Sequence, residues 1–105
     1  VFAAVSHLPH LLSFALVNNL AKRNNRELLF SFAASGFRDF TRIAESSPEV
    51  WRDISLANRD ALLCELKQYS AELSLLSQAL ENSDAAKLEE IFSRAREVRS
   101  EWADQ

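Results

Sequence analysis

Apolar positions fall in a different rhythm in each third of the chain. From Val1 to about Arg23 they occupy nearly every side of a helix: Val1, Phe2, Val5, Leu8, Leu11, Leu12, Phe14, Leu16, Val17 and Leu20. A helix that is apolar all round is expected to be buried all round, and one small domain can rarely cover such a helix, so the pattern predicts a partner surface. Pro9 lies inside it and cannot donate to the carbonyl of Val5, so the helix either kinks there or begins near Ser6. Lys22-Arg23-Asn24-Asn25 ends it, with cations where the macrodipole favours them. Glu27 to Ala34 reads as a short helical or irregular piece, Ser35-Gly36 as a glycine turn, and Phe37 to Glu45 as a short helix.

The second half is more regular. Ser46-Ser47-Pro48-Glu49 is a helix start, with Ser47 as N-cap and Pro48 at the first helical position. From there a helix extends to about Asn82, and Leu62, Leu66, Tyr69, Leu73, Leu76 and Leu80 mark a heptad-like seam along it. Unbroken, such a helix is roughly 52 Å long, whereas a compact globule of this size has a radius of gyration of only about 13 Å. It therefore either kinks or packs along a second chain. Ser83-Asp84 caps a last helix, Ala85 to about Trp102, whose stripe of Leu88, Ile91, Phe92, Ala95, Val98 and Trp102 reads as a surface helix laid on a core. The expected class is all-α, with no strand.

Composition narrows the function. One glycine in 105 residues cannot write a phosphate loop of either common kind, so this chain is expected to bind no dinucleotide or nucleoside triphosphate by those routes. A net charge of -3 argues against nucleic-acid binding by bulk charge. The apolar runs are interrupted by Ser6, His7, His10 and Asn18, short of the ~20 residues of a membrane span. Cys64 is the only cysteine, so no intrachain disulfide forms, and a reducing, cytoplasmic location is the simpler reading. There is no Met and no signal-peptide pattern, and Val1 already lies in an apolar run; the chain is expected to be a piece of a longer protein.

Two groups of residues could carry chemistry. His7 and His10 share a helical face, and they read either as core histidines satisfied by neighbouring carbonyls or as a polar window aimed at a ligand. A metal site would need further ligands that the spacing does not supply, and none is expected. In Gly36-Phe37-Arg38-Asp39-Phe40-Thr41-Arg42 the two arginines are i, i+4, a like-charge pairing that costs a few tenths of a kcal/mol unless an anion sits between them. Asp39 and Arg42 are i, i+3, so a local ion pair is the competing reading. Trp51 fits core or interface, and Cys64 a small buried hydrophobe. No nucleophile–base pair has a diagnostic spacing. The residues alone stop at a helical, dimeric domain with a His/Arg pocket for an anion.

The words of the sequence go further. Ser6-His7-Leu8-Pro9-His10, then Ser35 to Ala44 (SGFRDFTRIA), then Ser47-Pro48 and Trp51-Arg52-Asp53-Ile54, resemble the C-terminal domain of prephenate dehydrogenases and their arogenate and cyclohexadienyl relatives. The match is close from Val1 to about Asn58 and elsewhere extends to helix layout only. The resemblance implies an all-helical dimerisation domain, residues 1–105, with long intertwined helices, that completes a substrate pocket. An N-terminal Rossmann domain outside this chain would carry NAD or NADP and the catalytic residues, so this chain would contain none and be inactive alone. The implied reaction, in tyrosine biosynthesis, is oxidative decarboxylation of prephenate to 4-hydroxyphenylpyruvate, or of arogenate to tyrosine. It further implies that Arg42 grips a substrate carboxylate and that His10 faces the substrate's carboxylate end. Asp39, Gly36 and Trp51 would line or support the pocket, some from the partner of a homodimer, while His7 is structural. Ser35 stands where relatives often carry another glycine. A non-catalytic helical dimer and a metal-binding bundle remain the competing classes.

Overall fold

The computed structural model describes residues 1–104, and among them the secondary structure is helical with no strand. A π-helical turn, Ala3–His7, leads into α1, Leu8–Ala21; α2 is Arg26–Ser31 and α3 is Ser35–Thr41, followed by a 3-10 turn, Arg42–Glu45. Then come α4, Pro48–Ala57, α5, Arg59–Glu81, and α6, Ala85–Ala103. The chain divides into two compact units, Val1–Leu66 and the residues from Lys67 onward, with the boundary inside α5.

In the first unit, α1 packs on α2, α3 and the 3-10 turn. The proline in its first turn is accommodated by widening the helix ahead of it: the Leu8 amide bonds the carbonyl of Ala3, a π-type step, immediately before the residue that has no amide to donate. The single glycine does not make the expected turn. Gly36 lies in the first turn of α3 without positive φ, and the extended residue at the N-cap is Ala34. The helix from Pro48 is not continuous to Asn82 either. Asn58, at φ -120 and ψ 34, separates α4 from α5. Ser47 caps α4 as expected, its hydroxyl accepting from the Val50 amide at 3.4 Å.

In the second unit, α5 ends in a Schellman motif. The Asp84 amide reaches the carbonyl of Ala79 at 2.9 Å and the Ser83 amide that of Leu80 at 3.1 Å, with Ser83 held at φ 48. The Asp84 carboxylate then caps α6 through the Lys87 amide at 3.0 Å.

The apolar patterns exceed what the single chain buries. Among the described residues, Ala3, Leu8, Ser13, Leu62 and Ala79 are fully inside. Phe2 and Val5 stand exposed beside α1, and on α6 Phe92, Val98 and Trp102 do as well, so α6 is not the helix resting on a core that its stripe suggests. Cys64 is exposed rather than buried. Of the seam, Leu62 is buried in the first unit, while Leu73 and Leu80 are exposed in the second. Among the described residues no helix is long and apolar enough to cross a membrane.

Candidate functional site

One group of candidate residues is built on α1 and α4. The imidazole of His10 lies on the indole of Trp51, ring centroids 3.9 Å apart and planes 16° apart. Its Nδ1 is 3.0 Å from the carbonyl oxygen of Ser6, which can only accept, so Nδ1 carries a proton and Nε2 is the nitrogen left for a ligand. His7 meets the same indole edge-on at 5.9 Å. The Asn58 side-chain amide donates to His7 Nδ1 at 3.3 Å, which ties the α4–α5 break to the π-helical turn before α1. His7 is thus held by Asn58 and Trp51, and His10 by Ser6 and Trp51. Asn58 carries no signal in the sequence, since its partner is 51 residues away.

The second group surrounds a cleft of about 400 Å³, lined by Phe30, Ala33, Phe37, Arg38, Asp39, Thr41, Arg42 and Glu45. Phe30 packs near Phe37, 6.1 Å between ring centroids, and forms the apolar side. The two arginines are not equivalent. Arg38 Nε donates to the Ala33 carbonyl at 3.2 Å, which commits it to the α2–α3 loop. Among the described residues Arg42 forms no ion pair with Asp39 or any other carboxylate, and it lines the cleft together with Asp39 and Glu45. This removes the local ion-pair reading of Asp39–Arg42. Glu45 and Thr41, not singled out from the sequence, also line the cleft, and Thr41 bonds the Phe37 carbonyl at 2.7 Å.

Neither of two clefts among the described residues holds both groups. Trp51 instead lines a smaller, more apolar cleft of about 300 Å³ with Leu11, Phe14, Asn18, Pro48, Arg52 and Ser55. Gly36 sits on the first turn of α3 with open space around it: a side chain there would meet nothing within 4 Å. Among the described residues no group of three or more His, Cys, Asp or Glu could hold a metal ion. The one glycine, Gly36, is helical.

Comparison with known proteins places this geometry. The prephenate dehydrogenase of Bacillus subtilis (strain 168) is 39% identical over 94% of this chain, which spans 27% of that protein. The cyclohexadienyl dehydrogenase of Zymomonas mobilis is 36% identical over 94% of the chain, and 34% of its own length is covered. Among solved structures, prephenate dehydrogenase from A. aeolicus, in complex with hydroxyphenyl propionate and NAD+, superposes with a TM-score of 0.89. It is 37% identical and the match covers 96% of this chain and 36% of that one. Synechocystis arogenate dehydrogenase gives 0.88 at 29% identity, covering 96% and 37%. The chain thus spans about a third of the length of these relatives. Residues 1–94 match the family described as prephenate dehydrogenase, dimerization domain, and the chain belongs to that family.

Proposed function

We propose that this chain is the dimerisation and substrate-pocket domain of an NAD- or NADP-dependent prephenate dehydrogenase. That enzyme converts prephenate to 4-hydroxyphenylpyruvate by oxidative decarboxylation. Arogenate, named for a relative of similar fold, is the alternative substrate. The observation that carries the reading is the Arg42 guanidinium, on a cleft wall with no carboxylate partner of its own among the described residues, while Arg38 beside it is tethered to the backbone. A planar fork with both N–H edges available grips a carboxylate by two parallel charge-assisted hydrogen bonds, which fixes its orientation as well as its position. Prephenate carries two carboxylates, and a pocket that holds them before reaction lowers the entropic part of the barrier.

His10 supplies a second, weaker contact toward the carboxylate end through Nε2, held in plane by Trp51. Asp39 lines the cleft mouth, and Gly36 keeps the start of α3 open to an approaching group. Cofactor binding and the hydride-side residues then belong to an N-terminal Rossmann domain, in keeping with the third of its relatives' length that this chain spans.

The exposed apolar residues of the segment before α1 and of α5 and α6 form the homodimer surface, as expected of a family named for dimerisation. The test is turnover by the full-length protein. Reduction of NAD or NADP with prephenate, or with arogenate, supports the reading; no reduction with either substrate contradicts it.

A further inference from the structure

Ser13 is the most deeply buried side chain among the described residues, at 0% exposure, in the middle of α1. Its hydroxyl donates to the Phe40 carbonyl at 3.0 Å, across 27 residues of sequence. Phe40 is the next-to-last residue of α3, immediately before the bonding pattern tightens into the 3-10 turn that begins at Arg42. Ser13 is fully buried, so its hydroxyl needs a partner inside the fold, and the Phe40 carbonyl is that partner. It also lies one helical turn beyond His10 on α1, so one helix holds both the His10–Trp51 stack and the end of α3. The small side chain lets α1 approach α3 closely, and its single polar atom fixes where along α3 the approach occurs.

We infer that Ser13 is a positioning residue, whose hydrogen bond to Phe40 sets the placement of Arg42 relative to His10 and so the spacing of the two substrate contacts. The inference rests on the pocket reading of Arg42 given above. A merely structural serine and a positioning serine both lower stability when removed. Only the second acts on substrate affinity, and only while Arg42 is present to be positioned.

The experiment is a double-mutant cycle in the full-length enzyme with Ser13→Ala and Arg42→Gln, reading KM, kcat and melting temperature. Ser13→Ala is expected to raise KM for prephenate about three- to ten-fold, the scale of one ordinary hydrogen bond, with kcat changed less than about two-fold. In the Arg42→Gln background the same change is expected to leave KM where Arg42→Gln alone put it. Full multiplication of the two effects on KM, or an unchanged KM in Ser13→Ala beside a raised KM in Arg42→Gln, overturns the inference alone. An unchanged KM in Arg42→Gln overturns the pocket reading and this inference with it. If Ser13→Ala does not fold, Ser13→Cys, a weaker donor of similar shape, takes its place in the cycle, and the same outcomes support or overturn the inference.

Discussion

The imidazole of His10 and the indole of Trp51 are stacked at 3.9 Å, and they join α1 to α4. Both rings belong to sequence motifs whose resemblance points to a pocket, and the contact explains why they go together. The indole gives His10 a flat wall, and the Ser6 carbonyl fixes its rotation. Stacked aromatic pairs contribute about 0.5–1.5 kcal/mol beyond their buried area.

Trp51→Phe should therefore keep most of the stability and of the substrate affinity. Trp51→Ala should lower the melting temperature by several degrees, at roughly 4–8 °C per kcal/mol for a domain of this size. It should raise KM together with that loss, because His10 is released. Thermal melting of the two variants beside their KM values checks this. A Trp51→Ala enzyme with a lower melting point and an unchanged KM would make the stack purely structural.

Two serines at helix ends should respond in opposite directions. Ser47→Ala removes the cap on α4 and should cost about 1 kcal/mol. Ser83 sits at φ 48, where a side chain other than glycine is strained by about 1–2 kcal/mol. Ser83→Gly relieves that strain, partly offset by a freer unfolded chain, and should stabilise by about 0.5–1 kcal/mol. Denaturant unfolding of the two variants beside the parent reads both signs; a destabilised Ser83→Gly would contradict the Schellman account.

These helix ends also show what is legible in the sequence. Ser47-Pro48-Glu49 and Ser83-Asp84 are local signals, complete within four residues, and both caps form where expected. Gly36 misleads because glycine marks a turn only when φ must be positive, and here it has no positive φ and lies inside the first turn of α3. The Asn58 break is invisible in the sequence, as asparagine interrupts a helix only weakly on its own and this one is held by His7 from the π-helical turn before α1. Ser13 is silent for the same reason: its meaning lies in a carbonyl 27 residues later. The candidate site residues are legible as motifs, but their division into an Arg42 cleft and a His10–Trp51 stack is a tertiary fact.

The exposed apolar residues predict assembly. Val5, Leu73 and Leu80 lie open in the single chain, on the two segments whose patterns ask for a partner, and Phe92, Val98 and Trp102 of α6 are exposed as well. Obligate interfaces bury more than about 2,000 Å² in total, so the dimer should persist at micromolar concentration. Sedimentation velocity of the full-length protein should show a dimer without detectable monomer. Replacing Leu73 and Phe92 together by Glu should shift it toward monomer or aggregate; a monomeric parent would refute the dimer.

The most direct measurement is the KM of Arg42→Gln in the full-length enzyme, taken with its melting temperature. A charge-assisted bidentate contact contributes about 1.5–3 kcal/mol, and each 1.4 kcal/mol is tenfold, so KM should rise roughly ten- to a hundred-fold. His10→Ala should act in the same direction more weakly, since an imidazole with Nδ1 tied to Ser6 offers one further hydrogen bond. The melting temperature of Arg42→Gln should move by no more than a few degrees, because Arg42 has no carboxylate partner among the described residues to lose. An Arg42→Gln enzyme that melts much earlier, yet binds its substrate with an unchanged KM, would show that the arginine serves the fold and not the substrate.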